Sequence, residues 1–464
     1  MLDFKNRKIL IMGLGLHGGG LAITKYLAKK GAKLTVTDLK TKEQLASTLQ
    51  KLRNYKINYV LGKHRLIDFR QAEMVIQNPD VPANSKYLQE ALKYGVPIEN
   101  EASLFFKLCP APIIGITGTR GKSTTTALIY EMIKKKNPKA LMAGNIRTIV
   151  MFDIINKVKK NTPVILELSS WQLEGLARFK LSPHISVLTN IMPDHLNRYK
   201  NYSEYIKAKK IIYKYQTSDD YIILNRDNKL TKNLGKEVPS QRFWFSKKNF
   251  PEQNGVFVKN NNIYFRINGK QTKICEQKDL YLKGEHNLAN YLAAIACASI
   301  YGVSKDLIFK TVKAYKGLAN RQELIREFKG IKYYNDTTAT TPEATIAALN
   351  TLSQTGKQNI VLLAGGADKK LDFTELAQII KKNVKALILF EGEATKKLVK
   401  ELRKISFTRT IVFVETMPEA FKQAEYLLEK GDIFLLSPAA ASFGLFINEY
   451  DRGAQFNKQV LKIK

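Results

Sequence analysis

The sequence is poor in the residues that build metal clusters and disulfide frameworks. Its 464 residues include only five histidines and three cysteines, Cys109, Cys275 and Cys297. Three widely spaced cysteines give no zinc-type spacing, and we expect them to be buried thiols in a reducing cytoplasm. No apolar run approaches the roughly 18 residues that a membrane-spanning helix needs. These absences exclude a disulfide-stapled scaffold and argue against helical membrane spans.

Acidic residues are scarce as well. There are 41 Asp and Glu against 75 Lys and Arg, which gives a formal net charge of +34. A charge of this size suits either a nucleic-acid-binding protein or a lysine-rich protein with anionic small substrates. The basic residues are spread from Lys5 to Lys464 without a polybasic tail, which weakens the nucleic-acid interpretation.

The length predicts several domains, because a domain takes roughly 100–200 residues. The apolar run Ile9–Met12 is followed directly by glycines, so we expect a first β-strand there and not a signal peptide. Strand and helix patterns then alternate in three stretches, with candidate linkers near Cys109–Pro112 and Tyr315–Leu318. We therefore predict a three-domain α/β protein with mostly parallel sheets, divided into residues 1–110, 111–318 and 319–464.

The local patterns place the main elements. The first two stretches predict strands over Lys8–Met12, Lys33–Thr37 and Pro112–Thr117, a helix from Ser123 to Asn137, and a hairpin around Asn268-Gly269. The third stretch predicts strands at Ile331–Asn335, Asn359–Leu363, Ala386–Phe390, Thr410–Val414 and Ile433–Leu436. A small antiparallel sheet should therefore accompany the parallel sheet of the central domain.

A glycine-rich turn follows the first predicted strand. Gly13, Gly15 and Gly18 have G-x-G-x-x-G spacing, and Asp38 lies 20 residues after Gly18 at the end of the next strand. In this context the pattern is typical of a dinucleotide-binding turn, in which amides at a helix N-terminus hold phosphate oxygens. It indicates a nucleotide or nucleotide-sugar site, and a tight turn without a ligand is the alternative.

A second glycine loop opens the central stretch. Gly118-Thr119-Arg120-Gly121-Lys122-Ser123-Thr124 stands between a predicted strand and a predicted helix. Such a loop can wrap a triphosphate, with Lys122 reaching the phosphate oxygens and Ser123 reaching Mg²⁺. The usual first glycine of a P-loop is replaced by Ile116. The loop still predicts ATP binding.

Two further polar groups follow apolar strands of the central stretch. Glu167 ends the run that begins at Pro163, and Asp194-His195 follows another apolar run. An acid beside a P-loop is placed to contact Mg²⁺. A histidine at a third strand end would serve a second metal or be structural.

Seven strings in this order resemble the ATP-dependent Mur ligases over nearly the whole chain. They are Gly118–Thr126, Glu167–Glu174, Asp194–Tyr199, Leu282–Asn290, Asn335–Thr340, Gly365–Phe373 and Leu436–Phe446. The glycine fingerprint and the strings around Glu167 and Ser442 are most similar to the branch that adds D-glutamate. The resemblance implies an enzyme with a Rossmann-like first domain, a central P-loop ATPase domain and a Rossmann-like last domain.

The resemblance also implies a reaction. ATP would phosphorylate the carboxylate of UDP-N-acetylmuramoyl-L-alanine, and the amine of D-glutamate would attack the acyl phosphate to form an amide in peptidoglycan precursor synthesis. The implied residues at the UDP substrate are Gly15, Leu16, His17, Asp38 and Asn145. Those at ATP are Gly118, Thr119, Arg120, Gly121, Lys122, Ser123, Thr124, Asn287, Asn290, Arg321 and Asp336.

The remaining implied sites hold metal and amino acid. Two Mg²⁺ ions are expected at Ser123, Glu167, His195 and Lys209, of which Lys209 matches a lysine that the family carries as a carbamate. Lys122, Glu167, His195 and Lys209 would form the catalytic set. The residues expected around D-glutamate are Thr340, Lys369, Ser442 and Phe443.

Four residues depart from the family pattern, namely Arg120, Arg147, Asn320 and Thr338. Thr338 stands where a lysine is common, so the sequence specifies the amino acid less closely than it specifies ATP. A sibling ligase with another amino acid or acceptor remains an alternative. A basic P-loop ATPase that binds nucleic acid is the alternative from a different class. The expected protein is a cytoplasmic monomer without a nucleic-acid or membrane partner.

Overall fold

Short buried strands alternate with amphipathic helices and build three sheets in the described residues. The structure, a computed structural model, describes residues 2–15, 18–82, 84–146, 149–194, 198–353, 357–369 and 371–463. Residues 1–280 and 289–314 form one compact unit, and residues 281–288 and 315–464 form a second. The first two sheets belong to the first unit, and the third sheet belongs to the second.

The first sheet is fully parallel, with the strand order β3-β2-β1-β4-β5. Its elements are β1 (Lys8–Met12), α1 (Gly19–Lys29), β2 (Lys33–Asp38), α2 (Ala46–Gln50), β3 (Ile57–Leu61), α3 (Leu66–Gln71), β4 (Met74–Gln77), α4 (Lys86–Lys93), β5 (Ile98–Glu99) and α5 (Glu101–Leu108). The strand order reverses at β1, so the glycine turn after β1 lies where open α/β sheets bind ligands. This confirms the Rossmann-like expectation.

The second sheet has the order β14-β13-β12-β11-β10-β9-β6-β8-β7. Its first elements are β6 (Ile113–Thr117), α6 (Lys122–Lys136), β7 (Leu141–Gly144), α7 (Met151–Ile154), β8 (Val164–Glu167), α8 (Ser170–Ala177), β9 (Ile185–Leu188) and α9 (Tyr202–Lys214). The later elements are β10 (Tyr221–Asn225), α10 (Lys229–Leu234), β11 (Gln241–Ser246), β12 (Gly255–Lys259), β13 (Asn262–Ile267), β14 (Lys270–Glu276), α11 (Glu285–Ile300) and α12 (Lys305–Ala314). The P-loop strand β6 lies between β8 and β9.

Strands β12 to β14 form the small antiparallel part of this sheet. The predicted turn at Asn268-Gly269 is confirmed, with φ of +47° and +80°. A second turn at Asn260-Asn261, with φ of +48° and +58°, was not predicted. Asparagine tolerates the left-handed region, so this pair turns the chain without a glycine.

The third sheet has the order β15-β16-β20-β17-β18-β19. Its elements are β15 (Glu323–Phe328), β16 (Ile331–Asn335), α13 (Pro342–Leu352), β17 (Ile360–Gly365), α14 (Thr374–Asn383), β18 (Val384–Phe390), α15 (Glu393–Lys404), β19 (Ile411–Val414), α16 (Met417–Leu427), β20 (Ile433–Leu436) and α17 (Glu449–Lys462). The five predicted strands are confirmed. The antiparallel edge strand β15 was missed, because its half-exposed Glu-Leu-Ile-Arg-Glu-Phe run has no continuous apolar core pattern.

Buried aliphatic and aromatic side chains cover both faces of the first and third sheets. On the third sheet, one cluster packs α14 and α15 against β17 and β18, and another packs α16 and α17 on the opposite face. Both faces of these sheets are therefore covered by packed side chains, and the carboxyl ends of the strands carry the polar loops described next.

No helix in the described residues is long and apolar enough to cross a membrane.

Candidate active site

The P-loop is clamped by the segment that follows β9. The amide of Thr119 donates to the carbonyl of Asn190 at 2.9 Å, and the amide of Arg120 donates to Asn190 Oδ1 at 2.9 Å. The hydroxyl of Thr189 donates back to the carbonyl of Arg120 at 2.7 Å. Since each of these bonds joins the loop to one neighbouring segment, contacts within the protein hold the loop conformation.

Glycine is required at two points of this loop. Gly118 and Gly121 have φ of +150° and +82°. A Cβ at Gly118 would lie 1.9 Å from Thr189 Oγ1, and one at Gly121 would lie 2.2 Å from Asn290 Oδ1. Gly115, in contrast, faces away from the loop, since a Cβ there would meet the ring of Pro183 at 2.3 Å. It is a packing glycine of β6 and does not replace the missing first P-loop glycine.

Lys122 begins α6, one residue before the predicted helix start. Its Nζ donates to the carbonyls of Gly118 and Thr119 at 3.1 and 3.0 Å. The ammonium therefore lies inside the curve of the loop, where phosphate oxygens of a nucleotide would be received.

Lys209 is a buried lysine beside this loop. It lies on α9, is 2% exposed, and donates to Thr117 Oγ1 at 3.0 Å and to the carbonyl of Gly118 at 2.9 Å. Burial, with the positive charge of Lys122 nearby, lowers the pKa of the Lys209 ammonium well below its ordinary value. A lysine in this environment is available as a neutral amine far more readily than a surface lysine.

Glu167 ends β8, the strand next to β6. Its Oε1 accepts a hydrogen bond from Asn145 Nδ2 at 3.1 Å, while the buried Oε2 has no hydrogen-bond partner. A buried carboxylate oxygen without a donor is costly unless a cation binds it. This oxygen, with the hydroxyl of Ser123 at the start of α6, fits the donor set that Mg²⁺ takes.

Asp194 follows the clamping segment, and its Oδ2 lies 3.7 Å from Arg120 Nη1. This ion pair gives the unusual Arg120 of the P-loop an acidic neighbour. His195 lies outside the described residues, so its expected metal role stays a prediction. Within the described part of the chain, no three His, Cys, Asp or Glu side chains form a metal cluster.

Asn290 packs directly on the P-loop. Its Oδ1 accepts from the hydroxyl of Thr125 on α6 at 3.3 Å and lies against Gly121. Asn287 is one turn earlier on α11 and donates to the carbonyl of Lys283 at 2.9 Å. Thr124 is on the first turn of α6.

The glycine turn of the first sheet is joined to its acid. The amide of Gly15 donates to Asp38 Oδ2 at 3.2 Å, and Asn78 Nδ2 supports the turn by donating to the carbonyl of Gly13 at 3.0 Å. Gly13, Gly15 and Gly18 all have positive φ, between +66° and +94°. Leu16 and His17 lie outside the described residues, as does Arg147 after Asn145.

Three loops meet at the carboxyl edge of the third sheet. Lys369 Nζ donates to Thr340 Oγ1 at 3.0 Å. Ala367 and Ala441 exchange backbone hydrogen bonds, which joins the loop of Lys369 to the loop that holds Ser442 and Phe443. Ser442 is buried, whereas 68% of Phe443 is exposed. The structure thus gathers the four residues expected at the amino acid, through one direct bond and one backbone bridge.

Asp336 is a buried acid at the end of β16. Its Oδ2 accepts from Ser437 Oγ at 2.9 Å and its Oδ1 accepts from the amide of Gln322 at 3.1 Å. Burial raises the pKa of Asp336 to about 7, and the bonds and the charge of Arg321 oppose part of that rise. The hydroxyl of Thr338 donates to the carbonyl of Asn320 at 2.9 Å, so two of the residues that depart from the family pattern contact each other.

Sequence reasoning missed Arg452. This side chain of α17 is fully buried and donates to Thr337 Oγ1 at 3.1 Å, to the carbonyl of Thr337 at 3.0 Å and to that of Ala440 at 3.4 Å. It holds together two of the loops that carry the site residues. The signal that the sequence offered was an arginine at a position where the apolar pattern of α17 predicts a core residue. Thr117 and Tyr205, which line the Lys209 site, gave no signal of their own.

Comparisons with known proteins agree with this architecture. Residues 7–100 match the Mur ligase MurD-like N-terminal domain, residues 116–298 the Mur ligase middle domain, and residues 320–440 the Mur ligase glutamate ligase domain. The chain is 42% identical to the UDP-N-acetylmuramoylalanine–D-glutamate ligase of Roseiflexus sp. (strain RS-1), over 99% of both chains. It is 36% identical to the ligase of the same name from Thermoanaerobacter pseudethanolicus, over 100% of both chains.

A solved structure shows the same fold. The UDP-N-acetylmuramate–alanine ligase of Thermotoga maritima matches with a TM-score of 0.64 and 21% identity, over 98% of this chain and 100% of that one. The three domain matches cover most of the chain, and the two relatives match it over its full length. On these grounds the chain belongs to the Mur ligase family, and it is most similar to the UDP-N-acetylmuramoylalanine–D-glutamate ligases within it.

Proposed function

We propose that this chain is an ATP-dependent ligase that joins D-glutamate to UDP-N-acetylmuramoyl-L-alanine in peptidoglycan precursor synthesis. The observation that carries the proposal is the full-length identity of 42% and 36% to two ligases of that name. The buried lysine, acid and P-loop at one sheet edge supply the groups that such a reaction needs.

The reaction proceeds in two steps. The γ-phosphoryl group of ATP passes to the substrate carboxylate, which releases ADP and leaves an acyl phosphate. The amine of D-glutamate then attacks the acyl carbon, and the tetrahedral intermediate collapses to an amide, inorganic phosphate and a proton. Both steps move negative charge, so fixed cations lower both barriers.

The central site would hold the phosphates. The amides of residues 118–124 receive the phosphate oxygens, and Lys122 neutralises the charge of the transferring phosphoryl group. Asn287, Asn290, Arg321 and Asp336 complete the nucleotide site in this proposal. The burial of Asp336 and its two hydrogen bonds support a fixed acceptor for a ribose hydroxyl.

Magnesium would be held by Ser123, Glu167, His195 and Lys209, as two ions. The unpartnered Oε2 of Glu167 supports this assignment. When bound, the metal supplies charge stabilisation at the phosphoryl oxygens. For Lys209 to be a ligand, its neutral amine must attack carbon dioxide, form the C–N bond and lose a proton, which leaves a carbamate. The lowered pKa of Lys209 favours that neutral amine.

The outer sites would bind the two substrates. Gly15, Leu16, His17, Asp38 and Asn145 are assigned to the UDP-sugar. Thr340, Lys369, Ser442 and Phe443 are assigned to D-glutamate, where the cation of Lys369 would pair with a carboxylate.

The domain roles follow these assignments. Residues 1–110 would bind the UDP substrate, residues 111–318 ATP, and residues 319–464 the amino acid. We further propose a cytoplasmic monomer that works on small molecules and without a nucleic-acid partner, because no aromatic-basic module accompanies the charge of +34.

An amino-acid panel tests the proposal. Phosphate release is measured with ATP, Mg²⁺ and UDP-N-acetylmuramoyl-L-alanine, together with D-glutamate, L-glutamate, L-lysine or meso-diaminopimelate. Release should require every component and should occur with D-glutamate. Release with another amino acid and none with D-glutamate would assign the chain to a sibling reaction, as the departures at Asn320 and Thr338 allow.

A further inference from the structure

The edge strand β19 offers unpaired backbone groups. β19 is the last strand of the third sheet and pairs only with β18 in the described part of the chain. The carbonyls of Thr410 and Val414 accept from the amides of Leu387 and Glu391 at 2.9 and 3.2 Å. Because backbone groups alternate in direction along a strand, the N–H and C=O groups of Ile411 and Phe413 point away from β18. An extended chain can pair with this edge.

A groove runs beside this edge, along α15. It encloses a cavity of about 650 Å³ whose walls are one face of α15 and the side chain of Phe413. Ile411 packs with the core on the α15 side, whereas Val412 and Val414 pack on the opposite face. Phe413 therefore also points toward α15, and it is 48% exposed. An added strand at this edge would lie under α15 and cover Phe413 and Val399.

The groove is strongly basic. Lys396, Lys400, Arg403 and Lys404 line it, against a single acid, Glu391. Lys396 pairs with Glu393 and Lys404 with Glu401 on their own helix, at 2.5 and 2.7 Å. Among the described residues, Lys400 and Arg403 have no acidic partner. Two unpaired cations above an apolar floor suit a ligand that is acidic and also carries apolar side chains.

We propose that β19 and α15 form a docking slot for an extended acidic segment of a partner protein, which adds a seventh strand to the third sheet. In this mode the main-chain hydrogen bonds provide affinity, and the side chains on one face of the segment provide specificity. Glutamate or aspartate on the face toward α15 would meet Lys400 and Arg403, and a small apolar residue two positions along would cover Phe413.

Charge argues against a second copy of this chain as the occupant. Edge-to-edge pairing of two β19 strands would bring two sets of the four groove cations together. Like charges brought together at an interface repel each other and disfavour association. An acidic partner segment gains from the same charges.

The test uses the full chain and a fluorescent octapeptide, Glu-Thr-Val-Thr-Glu-Thr-Val-Thr, whose Glu and Val side chains share one face when extended. Fluorescence anisotropy should show saturable binding. The double variant Lys400→Glu/Arg403→Glu should weaken binding by about tenfold or more, because it reverses the charge at the rim. The same peptide with N-methyl groups on alternate residues should not bind, because it cannot pair with a strand edge.

A matched variant controls for overall charge. Lys422 and Lys458 are exposed on α16 and α17, on the other face of the sheet. Lys422→Glu/Lys458→Glu makes the same charge change and should leave binding within about twofold. Ligase activity and the melting temperature should be unchanged in both double variants.

Four results would overturn the proposal. They are no saturable binding to the parent chain, equal binding of the N-methylated peptide, equal weakening by the matched variant, and self-association of the free chain that Lys400→Glu/Arg403→Glu abolishes. The last result would assign the edge to a second copy. None of these four results depends on whether the chain carries out the proposed ligase reaction.

Discussion

Two lysines mark the two chemically different regions of this molecule. Lys209 in the first unit is buried, donates to Thr117 and Gly118, and has a pKa well below its ordinary value. Lys369 in the second unit is on an exposed loop and donates to the hydroxyl of Thr340 at 3.0 Å. The Lys209 ammonium is held by residues at the end of strand β6, whereas the Lys369 ammonium is held by a residue of a loop.

Under the proposed function, this difference separates a fixed reaction centre around Lys209 from an adaptable recognition site around Lys369. Around Lys209, each group is positioned by a neighbouring strand end, so a change there alters the chemistry. Around Lys369, the contacts are few and exposed, so under the same proposal a change there should alter which amino acid binds and how tightly. Substitutions in the two regions should therefore change different kinetic parameters, namely kcat for the Lys209 region and the KM for D-glutamate for the Lys369 region.

Lys122→Ala should have the largest effect. Its ammonium lies inside the P-loop, against the carbonyls of Gly118 and Thr119. Removing a fixed charge at a transferring phosphoryl group typically lowers kcat by about 10²–10³ or more. Phosphate release and the melting temperature measure the loss and check the fold.

Lys135→Ala provides the matched control for this prediction. Lys135 is exposed near the end of the same helix α6, so its removal changes the charge equally and should leave kcat unchanged. Near-normal turnover in Lys122→Ala would contradict the phosphate role.

Lys209→Ala should lower kcat by about 10²-fold, because it removes the buried group that we propose as a metal ligand. Short carboxylic acids should restore part of the activity, since they can occupy the place of a carbamate. The KM for D-glutamate should change little. Lys207→Ala, an exposed lysine two residues earlier on α9, should behave like the parent chain. Full activity of Lys209→Ala without any added acid would remove Lys209 from the reaction.

The geometry of the P-loop could be predicted from the sequence more closely than the contacts between distant segments, for a physical reason. A P-loop requires glycines at fixed spacing, and the close approaches of Gly118 and Gly121 to Thr189 and Asn290 explain that requirement. Apolar runs likewise located the parallel strands β1, β2, β6, β8 and β9 and the five strands β16 to β20, whereas β3, β4, β5, β7, β10 and β11 were not predicted. Such local constraints are visible in a linear pattern.

Contacts between distant segments were not visible in the pattern. Arg452 joins Thr337 to Ala440 across more than a hundred residues of chain, and its place in the apolar pattern of α17 does not indicate these partners. The unpartnered oxygen of Glu167 and the burial of Lys209 likewise required the fold. The resemblance to a family selected Lys209 from the sequence, whereas its environment became clear only in three dimensions.

Lys369→Ala should raise the KM for D-glutamate about 10- to 100-fold. This effect on binding would separate the Lys369 region from the Lys209 region, where kcat should change. A charge-assisted hydrogen bond is worth roughly 1.5–3 kcal/mol, which corresponds to that range. The KM for ATP should remain unchanged. Lys381→Ala, at an exposed lysine of α14, is the matched control. An equal rise of both KM values would show that the second unit is not a separate recognition site.

The smallest effect that we expect is on the pH dependence of stability. It comes from a buried acid of the first unit that lies outside the proposed reaction centre. Glu101 begins α5, and its Oε1 accepts from the amide of Met151 at 3.1 Å. Burial raises the pKa of Glu101 from 4.5 to about 7, with the nearby Asp153 adding to the rise. The folded state therefore binds a proton that the unfolded state has lost between these pH values. This contribution to stability is complete below pH 4.5 and is lost as the pH rises through about 7.

Glu101→Gln should remove this pH dependence, because an amide stays neutral. Between pH 5 and pH 8 the free energy of unfolding of the variant, relative to the parent chain, should rise by ~2 kcal/mol. Urea unfolding curves at each pH measure it, with the exposed Glu375→Gln of α14 as control. Parallel curves for Glu101→Gln and the parent would mean that the Glu101 carboxyl does not titrate differently on folding. A shift confined to Glu101→Gln would show that the first unit keeps a neutral acid buried near its helix ends, apart from the charged centre around Lys209.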